Sequence, residues 1–90
     1  MPAAGSIQQL NTMHIIMNEK QKQRQIMDKI KPFCTLSNTN IAILADVSPS
    51  LVSYVWAGIG RNETVLKTIL SNLSEGWDEV VSNEEIESLF

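Results

Sequence analysis

Apolar residues recur along this chain at helical intervals. Ile7, Leu10, Met13 and Met17 fall three and four apart. From Ile7 to Ile30 there is no proline or glycine, and Gln, Lys, Met and Glu abound, a composition that favours helix. Residues 18–25, NEKQKQRQ, are wholly polar; Ile26, Met27 and Ile30 then restore an apolar face. The pattern predicts two helical pieces, about 7–17 and about 19–31, or one long helix with a polar middle. The second piece belongs to a core. The first carries its own apolar stripe and has no evident role inside so small a domain, which is how a helix that packs on another subunit reads.

Capping and breaking residues divide the rest. Ser6 is a candidate N-cap for the first piece, and Pro32 disfavours helical geometry at Lys31. Phe33, Cys34 and Leu36 form a connector with Phe33 and Leu36 facing inward. Ser37, Asn38 and Thr39 are three successive N-cap candidates for a helix over about Thr39–Ala45, its inward residues Ile41, Ala42, Leu44 and Ala45. Asp46-Val47-Ser48 breaks it. Ser48 caps the next helix, Pro49 takes its first position, and Leu51–Ala57 continues it. Gly58-Ile59-Gly60 is a stop. Asn62 caps a helix to about Leu73 with Val65, Leu66, Ile69, Leu70 and Leu73 on one face, and Gly76 ends it. Ser82 or Asn83 caps a last short helix carrying Ile86, Leu89 and Phe90. No strand pattern or internal repeat appears. The expected fold is all-α, a compact domain of four to five helices with an extra N-terminal helical segment. The expected divisions are an arm and dimerisation element over 1–18, a core domain over 19–74, and an acidic segment with a short helix over 75–90.

Ninety residues suit one domain. No apolar run reaches the roughly 18 residues of a membrane span, and MPAAGSIQQLNTMH lacks the basic start and apolar stretch of a secretory signal. The single cysteine, Cys34, excludes an internal disulfide, so a cytoplasmic setting is expected. The net charge is −3, but it is unevenly distributed. Residues 1–74 hold all seven basic residues and four acidic ones, a net +3; residues 75–90 hold the other six acids, a net −6. The acidity belongs to the tail, and such asymmetry points to partners as well as to solubility.

The informative stretch is 38–57, NTNIAILADVSPSLVSYVWA. Two short helices are joined by a tight turn. Ala42 is small where the helices meet, Val47 plugs the turn, and Val52 and Val55, three apart, anchor the second helix. Its outer face is left with Ser48, Pro49, Ser50, Ser53, Tyr54 and Ala57, mostly small or polar, as suits a helix lying in the DNA major groove.

DVSPSLVSYVWAG followed by RNETVLKTIL resembles the helix-turn-helix domain of the Cro and lambda-repressor-like superfamily, over roughly residues 20–74. Asp46 stands where the family usually has Gly, and the second helix carries none of the Arg, Lys, Gln or Asn commonly used to read bases. The resemblance implies a sequence-specific transcriptional regulator, a repressor of phage or plasmid type. It would bind double-stranded DNA as a homodimer on a palindromic operator, in a bacterial or phage-infected cell, associated with the nucleoid. The recognition helix would be 49–57, with Ser48, Pro49, Ser50, Ser53 and Tyr54 at the groove. Asn38 and Thr39 would hold a phosphate at a helix N-terminus, and Arg61 and Asn62 would clamp the next. Lys29, Lys31 and Lys67 are weaker phosphate candidates. Dimer contacts would come from Ile7, Leu10 and Met17, from Val80, Val81, Ile86, Leu89 and Phe90, or from both sets.

The alternative is a protein-interaction module (an antirepressor, antitoxin-like inhibitor or adaptor) that keeps the fold without reading DNA and engages a protein partner through its acidic tail. An enzyme is not expected. The carboxylates surround no nucleophile or histidine, and no glycine loop suits a nucleotide. His14, the only histidine, reads as a packing residue, and Cys34 as a structural thiol. No metal and no cofactor is called for. Trp56 is expected in the core, and Trp77 in the core or at an interface.

Overall fold

The structure, a computed structural model, describes residues 18–90. The predicted helix over 7–17, its Ser6 cap, His14 and the dimer candidates Ile7, Leu10 and Met17 lie outside the described residues. Among the described residues the chain is all-helical, with five α-helices, two 3-10 turns and no strand.

Helix α1, Glu19–Ile30, opens with a reciprocal cap: Gln21 N–H donates to Asn18 Oδ1 at 2.8 Å and Asn18 N–H to Gln21 Oε1 at 3.3 Å. Gln23, Ile26, Met27 and Ile30 form its buried face. Pro32 starts a 3-10 turn, Lys31–Phe33, that ends the α-helical run. Ser37 caps helix α2, Asn38–Ala45, with its Oγ accepting from Asn40 N–H at 3.2 Å. Ile41, Ala42 and Ala45 are buried, but Leu44, expected inward, is 63% exposed, and its neighbour Ile43 is 71% exposed. The cause is rotation: at about 100° per residue, Ile41, Ala42 and Ala45 share one face and Leu44 turns off it.

Asp46 ends α2 in the left-handed region, φ 57° and ψ 50°, a conformation short polar residues tolerate better than most. Val47 N–H donates to Ala42 O at 3.0 Å, and the half-buried Val47 packs against the core. Ser48 then caps helix α3, Pro49–Trp56, by accepting from Leu51 N–H at 3.3 Å. Val52, Val55 and Trp56 are buried.

Asn62 Oδ1 caps helix α4, Glu63–Leu70, at 3.0 Å from Val65 N–H. The helix stops three residues short of the expected Leu73. The chain there turns to pair with the connector after α1: Thr35 N–H donates to Asn72 O at 3.0 Å and Ser74 N–H to Phe33 O at 2.7 Å, around an antiparallel bridge between Cys34 and Leu73. Those bonds satisfy backbone groups that another helical turn would otherwise have to pair. Gly76, at φ 96°, leads not out of α4 but into the second 3-10 turn, Trp77–Glu79.

Helix α5, Asn83–Ser88, is capped by a second reciprocal box between Ser82 and Glu85. The acidic segment that contains it is integral to the core. Val81 and Leu89 are buried among Ile26, Met27, Ile30, Val65, Leu66 and Ile69, with Ile86 and the half-buried Trp77 packed against them. Leu89 is therefore not available to a second subunit as expected; it is fully buried within its own chain, as is nearly all of Val81, whereas Val80 and Phe90 are exposed and Ile86 is half-buried.

Lys29 Nζ donates to Glu85 Oε2 at 2.8 Å, tying α5 to α1. That hydrogen bond, followed by one from the Ser82 backbone, holds the Glu85 carboxyl below its ordinary value of 4.5. A carboxyl depressed in the folded state contributes stability above its ordinary pKa and loses it as pH falls through the depressed one. Acidification below about pH 4.5 should thus loosen α5, by no more than about 0.5 kcal/mol because the pair is solvated. Amide exchange at Leu89 and Phe90 reads this directly. If Lys29→Gln left that pH dependence unchanged, the ion pair would not be its source.

Candidate functional site

The outer face of α3 is uncovered among the described residues. Ser48, Pro49, Ser50, Ser53 and Tyr54 are all exposed, Tyr54 by 52%. Burial of Val52, Val55 and Trp56 on the opposite face fixes this orientation. The N-terminus of α2 lies beside the middle of α3: Asn38 Nδ2 donates to Ser53 Oγ at 3.2 Å. The structure thus brings Asn38 and Ser53 together and sets the exposed Thr39 next to them in the first turn of α2.

Arg61 and Asn62, which follow α3, already have partners within the fold. Asn62 Oδ1 is engaged as the α4 cap. Arg61 is exposed, but its guanidinium is turned into the fold. Nε donates to Gln23 Oε1 at 3.3 Å, and Nη2 donates to Ser88 O at 3.4 Å. A phosphate clamp there would compete with both acceptors.

Gln23 is the residue the sequence pattern conceals. It is 3% exposed within a wholly polar run. Its amide Nε2 donates to Val55 O at 3.0 Å and Gly60 O at 2.7 Å while its Oε1 accepts from Arg61. One side chain thereby joins α1, the end of α3 and the loop into α4. Its position three, four and seven residues before Ile26, Met27 and Ile30 was the available signal.

The acidic helix lies away from α3. Around α1, Arg24, Asp28 and Lys31 project from one flank, Lys29 projects from the other, and Gln23, Met27 and Ile30 lie between them. Arg24, Asp28 and Lys31 line a cavity with Ser53 of α3 and Ala57 just past its end; Lys29 holds Glu85 of α5. The two helices thus pack on opposite flanks of α1.

Among the described residues no group of three or more His, Cys, Asp or Glu side chains could hold a metal ion, and no helix is long and apolar enough to cross a membrane. Comparison with protein-family models, with curated proteins and with solved structures finds no match.

Proposed function

We propose that this chain is a DNA-binding regulator of the helix-turn-helix kind, with α3 as the helix that enters the major groove. The observation that carries the reading is the uncovered outer face of α3, small and polar apart from Tyr54, presented by the tight Asp46–Ser48 turn. A helix has the right diameter for that groove. Ser48, Ser50 and Ser53 supply hydroxyl donors and acceptors, and Tyr54 an aromatic edge for a thymine methyl or a phosphate. The electrostatics agree: the chain before residue 75 is net +3, and the acidic helix packs on the far flank of α1. A repressor acting as a homodimer on a palindromic operator is the form proposed, with Phe90 and the half-buried Ile86 as the described candidates for subunit contact.

The test is selection from a random duplex pool at about 50 and 200 mM salt, a range over which phosphate-driven binding falls steeply, with the bound fraction sequenced. A palindromic motif should emerge and vanish in the double variant Ser53→Ala, Tyr54→Ala. A folded protein that binds no duplex at either salt concentration would overturn the reading. That result would favour a protein partner, for which Ile43 and Leu44 supply an exposed apolar pair on α2.

A further inference from the structure

Beside α3 lies a cavity of about 210 Å³ lined by Arg24, Asp28, Lys31, Asn38, Ser53, Trp56 and Ala57. Two of its walls are cationic. Lys31 Nζ is held over the Trp56 ring, 5.8 Å from the centroid, within the range of a cation–π contact. Arg24 is mostly exposed and pairs with Asp28 only at 3.9 Å, a solvated contact that leaves the guanidinium free to turn. Trp56, another wall, is buried to all but 6%, and among the described residues its Nε1 is the buried side-chain nitrogen or oxygen with no hydrogen-bond partner. That nitrogen is shielded from solvent, so what Trp56 offers the cavity is its ring, which Lys31 already faces. Ser53 adds a hydroxyl, and Asn38 an amide already turned toward Ser53. Two cations, Arg24 and Lys31, stand against the single carboxylate of Asp28, Ser53 and Asn38 add hydrogen-bonding groups, and an anionic oxygen acceptor is the ligand class that fits the positive balance.

We propose that this cavity seats a phosphodiester of the DNA backbone on the α1 side of α3, with Lys31 and Arg24 supplying the charge. The proposal rests on the DNA-binding reading above and deepens it. It moves the phosphate contact from Arg61, whose guanidinium already serves Gln23 and Ser88, to a site built by α1, α2 and α3 together. It also gives the uncharged recognition face its anchor: backbone contacts fix register and orientation, and the serines and Tyr54 then meet the bases.

The test compares Lys31→Gln and Arg24→Gln with Lys22→Gln, a charge-matched change on the other flank of α1, using the random duplex pool across salt concentrations. Both cavity variants should make the slope of log K against log salt shallower, each by a part of the about 0.9 that loss of the one seated phosphate would give, while Lys22→Gln leaves it unchanged. In a Trp77→Phe background, Trp56 emission should shift on adding duplex but not on adding inorganic phosphate at the same phosphate concentration. If the wild type binds duplex with a steep salt slope that both cavity variants retain, this proposal is overturned and the DNA-binding reading stands. A shift with inorganic phosphate alone, with unchanged duplex slopes, would overturn it in favour of a free-anion site. Absence of salt-sensitive duplex binding by the wild type would overturn the DNA-binding reading itself.

Discussion

Gly58→Ala should destabilise the chain by about 3 kcal/mol, lowering the melting temperature by roughly 15 °C for a domain of this size. Two causes add. Gly58 sits at φ 77°, where an L side chain costs about 1–2 kcal/mol. A Cβ there would also overlap the Lys20 carbonyl oxygen and come within 3.0 Å of Arg24 Cβ and 3.1 Å of Arg24 N. The offending atoms are mostly helix backbone, so relief requires α1 to move bodily, a displacement of the kind that costs about 1–3 kcal/mol in a packed interior. Gly60 is the internal control. It lies outside the left-handed region, and its nearest contacts would be 3.4 Å to Tyr54 Cβ and 3.9 Å to Leu51 Cδ1, so Gly60→Ala should shift stability by less than about 1 kcal/mol. Urea unfolding of the two variants decides the matter: a Gly58→Ala protein within about 1 kcal/mol of wild type would show that α1 and the end of α3 do not meet backbone to backbone.

Much of this arrangement was legible in the chain because its signals are local. Ser48-Pro49, Asn62 and Ser82 sit where the caps form, and Val52 with Val55 or Val65, Leu66 and Ile69 mark their buried faces by spacing alone. Spacing fails where it carries no contrast. Residues 41–45, IAILA, are apolar all round, so periodicity cannot separate buried Ile41 and Ala45 from exposed Ile43 and Leu44; only the placement of α3 and α4 does. Charge misled in the tail, where six acids suggest a solvated appendage although Val81 and Leu89 complete the core. The surface of α3 followed from the sequence. The cavity beside it did not, because Arg24, Lys31, Asn38 and Trp56 come from three separate segments that only the packing of α1 against α3 unites. Gln23 was hidden for the opposite reason: a polar residue in a polar run has nothing to set it apart until its neighbours are known.

That packing gives Gln23 an effect nearly as large. Gln23→Met keeps the volume but removes the amide, and the stability should fall by about 2 kcal/mol. The Val55 carbonyl retains the Gly58 N–H at 3.1 Å, but Gly60 O loses its 2.7 Å donor and Arg61 loses an acceptor; an unsatisfied buried polar group costs about 1–3 kcal/mol. Gln23→Glu should be worse at neutral pH, by about 3 kcal/mol. Its carboxylate would be desolvated and face two carbonyl oxygens, with the Arg61 guanidinium as its cationic partner, and burying a charge without full pairing costs more than burying a dipole. The pH dependence separates this from a simple packing defect. Burial and the two carbonyls raise the folded-state pKa of the introduced carboxyl above its unfolded value, so the folded state binds the proton more tightly. The deficit of the Gln23→Glu variant should then shrink as pH falls toward the ordinary carboxylate range, where the protonated acid can again donate. The Gln23→Met variant, with nothing to titrate at that position, should keep a constant deficit relative to wild type. Parallel urea titrations at pH 7 and about pH 4.5 measure both. Identical pH behaviour of the two variants would mean that position 23 is wet, and that the junction of α1 with the end of α3 is held by Gly58 and the apolar core alone.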